Sequence, residues 1–189
     1  MKHLKLPSPL VAAFAVVLSG CVTNLSERTM EDYEINVDMI RDYIMESNSP
    51  DDLLRSATAT TEERQSKYNV VYLDAKCVSY RCDDWAYTGG AHGMTTVHVG
   101  TLDRKTGRKL ALDDVFPKDG QGELARTLRG KATEALARKQ QQLFDYVSDG
   151  ELLTDNFCLM EDGWHFVYSP YDIAPFAAGV VEIVIPKTP

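Results

Sequence analysis

The chain has 189 residues, of which 44% are apolar and 25% are charged, and this composition excludes an intrinsically disordered protein. Its formal net charge of −8 argues against a nucleic-acid-binding protein, because an acidic surface repels phosphate. An acidic surface also attracts cationic partners over long range and keeps a protein in solution, and both interpretations stay open.

The first twenty residues have the pattern of a secretory signal. Lys2 and Lys5 precede an apolar run from Leu10 to Leu18, which is too short for a comfortable membrane span. Small residues then lead to Cys21 in the sequence LSGC, which resembles the lipobox of bacterial lipoproteins. The resemblance implies cleavage before Cys21 and acylation of this cysteine, so that the mature chain is attached to membrane lipid.

Removal of this signal changes the charge and the expected location of the chain. It takes away two lysines and no acids, so the formal charge of −8 becomes −10 for residues 21–189. Val22 follows the cysteine in place of an aspartate, and by resemblance to sorting in Gram-negative bacteria this indicates the outer membrane, facing the periplasm. A plain signal peptide followed by a chance cysteine is the alternative interpretation.

A polar tether and a small helical region are expected next. The tether covers residues 21–33, and apolar residues between 35 and 44 recur at the spacing of an amphipathic helix. The polar stretch 56–67 lacks a period and is expected to be a loop or a poorly ordered helix. Residues 34–67 are thus predicted to form a helical N-terminal subdomain.

From Tyr68 onward the pattern changes to strands with one long helix. Small apolar residues and leucines recur on one face from Gln121 to Tyr146 and predict the helix. Alternating or apolar segments predict strands, which lie at 68–80, 95–103, on both sides of a turn at 161–163, and at 179–186. Residues 68–189 are therefore predicted to be one α+β domain, with helices packed on one face of a largely antiparallel sheet.

Three cysteines remain once Cys21 is lipidated, and in an oxidising compartment they permit one disulfide and one spare thiol. Cys77 and Cys82 are five positions apart and point to opposite faces of a regular strand, so a bridge between them needs a bulge. Pairing of either with Cys158 stays open. The chain has no CxxC motif and its histidines are not spaced as zinc partners, so neither a metal nor another cofactor is expected.

The segment 87–93, YTGGAHG, is the first candidate for a functional site. Its adjacent glycines permit backbone conformations that other residues avoid, so the loop can present His92 or its own amides to a ligand. A tight strand connection is the structural alternative. Catalysis by His92 would need an orienting carboxylate, for which Asp83 and Asp84 are the candidates, and a nucleophile, which no recognisable motif supplies. No catalytic residue is therefore assigned.

The segment 168–179, YSPYDIAPFAAG, is the second candidate. Two prolines and three aromatic residues fix an irregular loop before the last strand. Exposed aromatic side chains on a rigid loop are good binding contacts, whereas the same side chains tucked under the sheet would be core. His165, in the strand before this loop, is expected to be an edge or packing residue. The two segments supply the candidate ligand-binding residues Tyr87, Gly89, Gly90, His92, Tyr171, Asp172 and Phe176.

Both segments, with TLDRKTGRKLALDDVF between them, occur in an order that resembles a known extracytoplasmic domain. They are similar to the C-terminal domain of RsiV-type, lysozyme-sensing anti-sigma factors, a domain that also precedes the catalytic domain of some peptidoglycan polysaccharide deacetylases. The resemblance covers residues 70–187, and neither a sigma-binding segment nor a deacetylase domain is recognised in this chain. It implies binding in the cell envelope, with lysozyme or peptidoglycan as the candidate ligand.

The sequence therefore predicts a lipid-anchored binding module of the cell envelope that is not an enzyme. Its expected partners are membrane lipid through Cys21 and either a cationic envelope protein such as lysozyme or peptidoglycan, but not nucleic acid. A cell-wall hydrolase that uses His92 and a structural scaffold lipoprotein are the two alternatives.

Overall fold

The structure is a computed structural model, and it describes residues 57–60, 64–87 and 89–187. At 57–60 it describes the backbone alone. The predicted signal, the tether with Cys21 and the helix predicted at 35–44 lie outside the described residues.

The described strands form two antiparallel sheets, with the helices between them in the chain. The first sheet has the order β1-β2-β3-β4, with β1 (Ala57–Thr60), β2 (Arg64–Leu73), β3 (Cys77–Ala86) and β4 (Met94–Asp103). The helices α1 (Leu112–Val115) and α2 (Gln121–Arg138) follow. The second sheet has the order β5-β6-β7, with β5 (Phe157–Leu159), β6 (Gly163–Tyr168) and β7 (Val181–Pro186). The predicted α+β class is confirmed.

Both faces of the second sheet are apolar. Successive residues of its strands point to opposite faces, and each face carries apolar side chains. One face packs against the buried side of α2, and the resulting core includes Leu124, Leu128, Leu136, Phe157, Phe166, Tyr168 and Ile183. The other face packs against β4 through Cys158 and Val167, which contact Val97 and Val99. The second sheet is therefore the middle layer, between α2 and the first sheet. Full burial of a leucine such as Leu128 stabilises the fold by roughly 1.5–3 kcal/mol.

Two side chains from the second half of the chain form hydrogen bonds with backbone groups at the free edge of β4. The amide of Val97 donates to Oγ of Ser169 over 2.9 Å, and the amide of Val99 donates to Oδ1 of Asn156 over 2.8 Å. Nδ2 of Asn156 in turn donates to the carbonyl of Val97 over 2.8 Å and to that of Val167 over 2.9 Å. An edge strand otherwise presents unpaired backbone groups, so these two side chains take the place of a further strand.

The long helix is shorter than the sequence pattern predicts. It ends at Arg138 rather than near Tyr146, and Gln140 has a left-handed φ of 56°. Beyond this turn the amide of Phe144 donates to the carbonyl of Ile173 over 3.0 Å. The prediction is wrong here because a tertiary hydrogen bond outweighs the local helical pattern of Leu143 and its neighbours.

The prediction of a loop or a poorly ordered helix at 56–67 is also wrong, because residues 57–60 and 64–67 belong to strands. Ala57 pairs with Tyr68 and Thr60 with Gln65 across the first hairpin, and β2 pairs along its length with β3. The predicted boundary between a helical subdomain and the α+β domain at residue 68 therefore falls inside β2. A polar sequence without a hydrophobic period forms a strand here because its backbone pairs with neighbouring strands.

The three cysteines of the domain are free and buried thiols. The pairing of β3 with β4 runs without a bulge from Cys77 to Ala86, so Cys77 and Cys82 point to opposite faces of the sheet. Cys158 lies in the second sheet, in the core between the sheets. Within the described residues, none of these three cysteines is in one of the disulfides that the cysteine count permitted.

The Asn156 contacts can be tested by substitution. We expect Asn156→Ala to lower the free energy of unfolding by about 2–3 kcal/mol, because it removes three hydrogen bonds and leaves the Val99 amide without its acceptor. Urea unfolding followed by circular dichroism measures the change. The exposed amide Gln142 gives the control Gln142→Ala, and an equally small loss in both variants would contradict the proposed importance of Asn156.

Candidate functional site

The first candidate loop connects β3 to β4 and is shaped by its glycines. Gly89 and Gly90 have φ values of 99° and 98°, which side-chain-bearing residues rarely adopt. The hydroxyl of Tyr87 donates to the carbonyl of Gly90 over 2.9 Å and closes the tip of the loop. The tip therefore holds the exposed Tyr87 ring in a fixed position.

Gly93 allows the end of this loop to lie directly on the indole of Trp85. A Cβ atom at position 93 would come within 2.4 Å of three indole atoms, a distance at which either the ring or the backbone must move. Glycine is thus favoured at position 93 by close packing against the ring rather than by an unusual φ. The same contact holds Trp85 at the base of the loop.

The second candidate loop, 169–179, is fixed by its own hydrogen bonds. The amide of Ser169 donates to Oδ2 of Asp172 over 2.6 Å, and the amide of Asp172 donates to the carbonyl of Ser169 over 3.0 Å. Tyr171 has a φ of 74°, and its amide donates to the carbonyl of Ala174 over 3.1 Å. A positive φ at a bulky residue stores of order 1–3 kcal/mol of strain and is most common at functional sites.

The two candidate loops meet through their aromatic rings. The imidazole of His92 stacks on Phe176 with ring centroids 3.9 Å apart and an angle of 17° between the planes. Phe176 in turn lies 5.8 Å from the ring of Tyr171. We call Trp85, Tyr87, His92, Tyr171 and Phe176 together the aromatic surface. Fold topology thus brings together His92 and Phe176, which are 84 positions apart in the sequence.

The aromatic surface is exposed, and the two loops that form it contribute few charged side chains of their own. Trp85, Tyr87 and Tyr171 are 37%, 41% and 49% exposed, and they are three of the four large exposed apolar side chains among the described residues. Residues 85–96 contain no charged side chain and residues 169–180 contain only Asp172, although 25% of the chain is charged. Aromatic enrichment with charge depletion is the composition of the centre of a binding interface.

The hydrogen bonds of His92 do not make it a general base. Its Nδ1 lies 3.0 Å from the carbonyl of Gly93, next to it in the chain. The two carboxylates expected to orient it bind arginines instead: Asp84 accepts from Arg64 and Asp83 from Arg81. The position of His92 is therefore set by stacking and by backbone rather than by a carboxylate.

A second cluster, which the sequence did not reveal, surrounds His165. This histidine is buried, with Nδ1 lying 2.5 Å from Oε1 of Glu182 and Nε2 lying 2.6 Å from Oδ1 of Asp162. Glu182 also pairs with Arg81 at 3.0 Å, which links the second sheet to the first. His165 thus bridges Asp162 and Glu182 and is more than the edge or packing residue that its apolar neighbours suggested. Only the tertiary structure brings Glu182 of β7 beside it.

This cluster does not activate the neighbouring thiol. Cys158 is the cross-strand partner of His165, and burial raises the pKa of its thiol to about 12. Both ring nitrogens of His165 already contact carboxylates, so neither is available to accept the thiol proton. A nucleophilic cysteine needs the opposite arrangement, a lowered pKa and an available base.

Two features are absent from the part of the chain that the structure describes. Among residues 57–60, 64–87 and 89–187, histidine, cysteine, aspartate and glutamate side chains form no group of three or more that could hold a metal ion. Within the same residues, no helix has the length and apolar character needed to cross a membrane.

A protein-family model matches the part of the chain that carries the second candidate loop. Residues 113–188 match the family DUF3298, described as a protein of unknown function. The match contains α2, the second sheet and the second candidate loop, which carries Tyr171 and is called the Tyr171 loop below. The first candidate loop, which carries Tyr87, precedes the match. No curated protein matched the chain.

Two solved structures of DUF3298 proteins are similar to this chain. One, from Bacteroides fragilis, is 32% identical with a TM-score of 0.52, and the match covers 65% of this chain and 50% of that one. The other, from Pseudomonas aeruginosa, is 23% identical with a TM-score of 0.49, covering 64% and 56%. The chain thus spans about half the length of these proteins. The Bacteroides structure supports the fold.

The His165 cluster predicts a pH effect at Asp162. Its contact with His165 holds the pKa of the Asp162 carboxyl below the ordinary value. A lowered folded-state pKa stabilises the fold above the pKa of the unfolded chain, and this contribution is lost as the pH falls through the folded value. We therefore expect His165→Leu to raise the pKa of Asp162 and to make stability less dependent on acid pH.

Carboxyl-carbon NMR titration measures this pKa, and urea unfolding across the acid range measures the stability. Asp103 is an internal control, because hydrogen bonds from Thr106 lower its pKa independently of His165. An Asp162 titration that is the same in both proteins would contradict the assignment.

Proposed function

We propose that this chain is a binding module of the cell envelope and that its ligand contacts the aromatic surface. The observation that carries the proposal is the stack of His92 on Phe176, which joins two rigid loops from different sheets into one exposed surface. Rings that are already fixed lose little conformational entropy when a ligand binds, so such a surface suits recognition.

The geometry favours binding over hydrolysis. His92 is held by stacking and by its neighbouring carbonyl, and the carboxylates proposed to orient it are paired with arginines. The strain at Tyr171 also fits a contact residue, because a strained backbone persists where it displays a side chain that has a role. The module is therefore proposed to act without catalysis.

The location in the envelope is proposed from the signal sequence and its lipobox. Acylation of Cys21 would hold the domain close to a membrane, by proposal the outer membrane on its periplasmic side. The resemblance to RsiV-type domains adds lysozyme and peptidoglycan as candidate ligands. The net charge of −8, which becomes −10 once the two lysines of the signal are removed, favours the approach of a cationic protein such as lysozyme.

Lipid attachment can be tested directly. In cells fed with labelled palmitate we expect the wild-type protein to carry label and to sediment with membranes, because the LSGC sequence presents Cys21 for acylation. Cys21→Ser removes the sulfur and is expected to abolish both properties. Equal labelling of the two proteins would refute lipidation at this residue.

Binding is tested with purified peptidoglycan in sedimentation and with lysozyme in calorimetry. We expect one of them to bind the wild type and Tyr171→Gly to lose at least tenfold in affinity, because the exposed ring is removed. The variant should keep its stability to within about 1 kcal/mol, since relief of the positive φ offsets the added freedom of glycine in the unfolded chain.

Ala177→Gly is the matched control, a glycine substitution at an exposed position of the same loop that leaves every ring in place. Its affinity should equal that of the wild type. Absence of binding to both ligands at low salt would count against the proposed function. Lysozyme binding that depends on charge should also weaken steeply as salt is added.

A further inference from the structure

One face of the first sheet packs against the second sheet, and the other face points away from it. Val97 and Val99 of β4 contact the second sheet. Successive residues of a strand point to opposite faces, so the residues that alternate with these valines lie on the other face. We call this the outer face, and the strand pairing assigns to it Tyr68, Val78, Tyr80, Cys82, Gly100 and Leu102.

The outer face is buried although it points away from the second sheet. Val78, Tyr80 and Leu102 are 0%, 2% and 1% exposed, and the two apolar cores described above contain none of them. The stem of Lys109 lies over Gly100 and covers one edge of the face. These exposures are those of a single chain, so the atoms that cover the rest of the face belong to this chain.

The buried positions form a diagonal strip across three strands. The strip begins at Tyr68 on β2, passes Cys82 on β3 and ends at Leu102 on β4. His98 pairs with Cys82 but is exposed, so the strip is not the full width of the sheet. Strand spacing and rise give it a length of about 17 Å. A strip of this shape is the contact that one helix makes in crossing a sheet.

The chain before β1 has an apolar stripe that matches this strip. Apolar residues recur at helical spacing from 35 to 44, namely Ile35, Met39, Ile40, Tyr43 and Ile44. Ten helical residues span about 15 Å, which is close to the length of the strip. The twelve residues 45–56 extend to about 40 Å at most, so the stripe can reach the outer face from the start of β1. An apolar helix stripe is stable only when another surface covers it.

We propose that residues 35–44 form an amphipathic helix that lies diagonally across the outer face, along the strip from Tyr68 to Leu102. The inference goes beyond the proposed function and needs neither the aromatic surface nor a ligand. An outer face that its own chain covers is closed to an external partner. With lipid attachment at Cys21, as proposed above, the anchor joins the domain on the side of the first sheet that lies away from the second sheet.

Cys82 lies on the outer face and is a native probe of its cover, whereas Cys158 lies between the two sheets. The experiment uses the full chain with Cys21→Ser, so that the lipid-attachment cysteine does not react. Maleimide labelling followed by mass spectrometry of peptides measures each thiol separately. We expect Met39→Asp, which places a charge in the apolar stripe, to speed the labelling of Cys82 roughly tenfold or more and to leave Cys158 protected.

Met45→Asp is the matched control, because it places the same charge on the side of the predicted helix opposite the stripe. Its Cys82 should react as slowly as that of the unsubstituted chain. Slow labelling of Cys82 in both variants would overturn the inference, since the stripe would then not cover this face.

A disulfide trap decides the case in which Met39→Asp unfolds the whole domain and exposes Cys158 as well. We expect oxidation to link position 39 or 43 to Cys82 within one chain in Met39→Cys or Tyr43→Cys, and to form no such link in Met45→Cys. A link between two chains would overturn the inference, because a second copy would then occupy the face. Absence of a link in both stripe variants would overturn it too.

Discussion

The hydrogen bonds at the free edge of β4 are the constraint on which the rest of the fold depends. Asn156 offers an acceptor to Val99 and donors to Val97 and Val167, so it satisfies the edge without adding a strand. The second sheet can then pack across β4 instead of extending the first sheet. Oγ of Ser169 accepts a hydrogen bond from the Val97 amide, and Ser169 is also the first residue of the Tyr171 loop. This single contact therefore bonds the edge strand and positions the candidate site.

The aromatic surface depends on unusual backbone conformations within its two loops and on contacts that hold these conformations in place. Gly89 and Gly90 adopt backbone conformations that favour glycine, whereas Tyr171 has a positive φ at a bulky residue. Hydrogen bonds within each loop and the stack of His92 on Phe176 hold these conformations in place. Because the loops come from different sheets, the surface exists only when the two sheets are correctly packed.

Charge has separate roles in different parts of this acidic chain. Between the sheets, Glu182 accepts from Arg81 and contacts His165, so opposite charges are paired where they are partly buried. By contrast, the two loops of the aromatic surface contain one charged residue, Asp172. We therefore propose that the overall negative charge acts on the approach of a partner and that contact with the surface depends on uncharged rings.

The sequence by itself determined the α+β class, the last strands and both candidate loops, because these depend on local signals: alternation, turn glycines and clustered prolines. It did not determine the strands at 57–60 and 64–67, the end of α2 at Arg138, or the partners of His165. Each of those depends on groups distant in sequence, such as the Ile173 carbonyl that binds Phe144. Only the tertiary structure decided that His92 stacks on Phe176, because that contact requires the packing of two sheets.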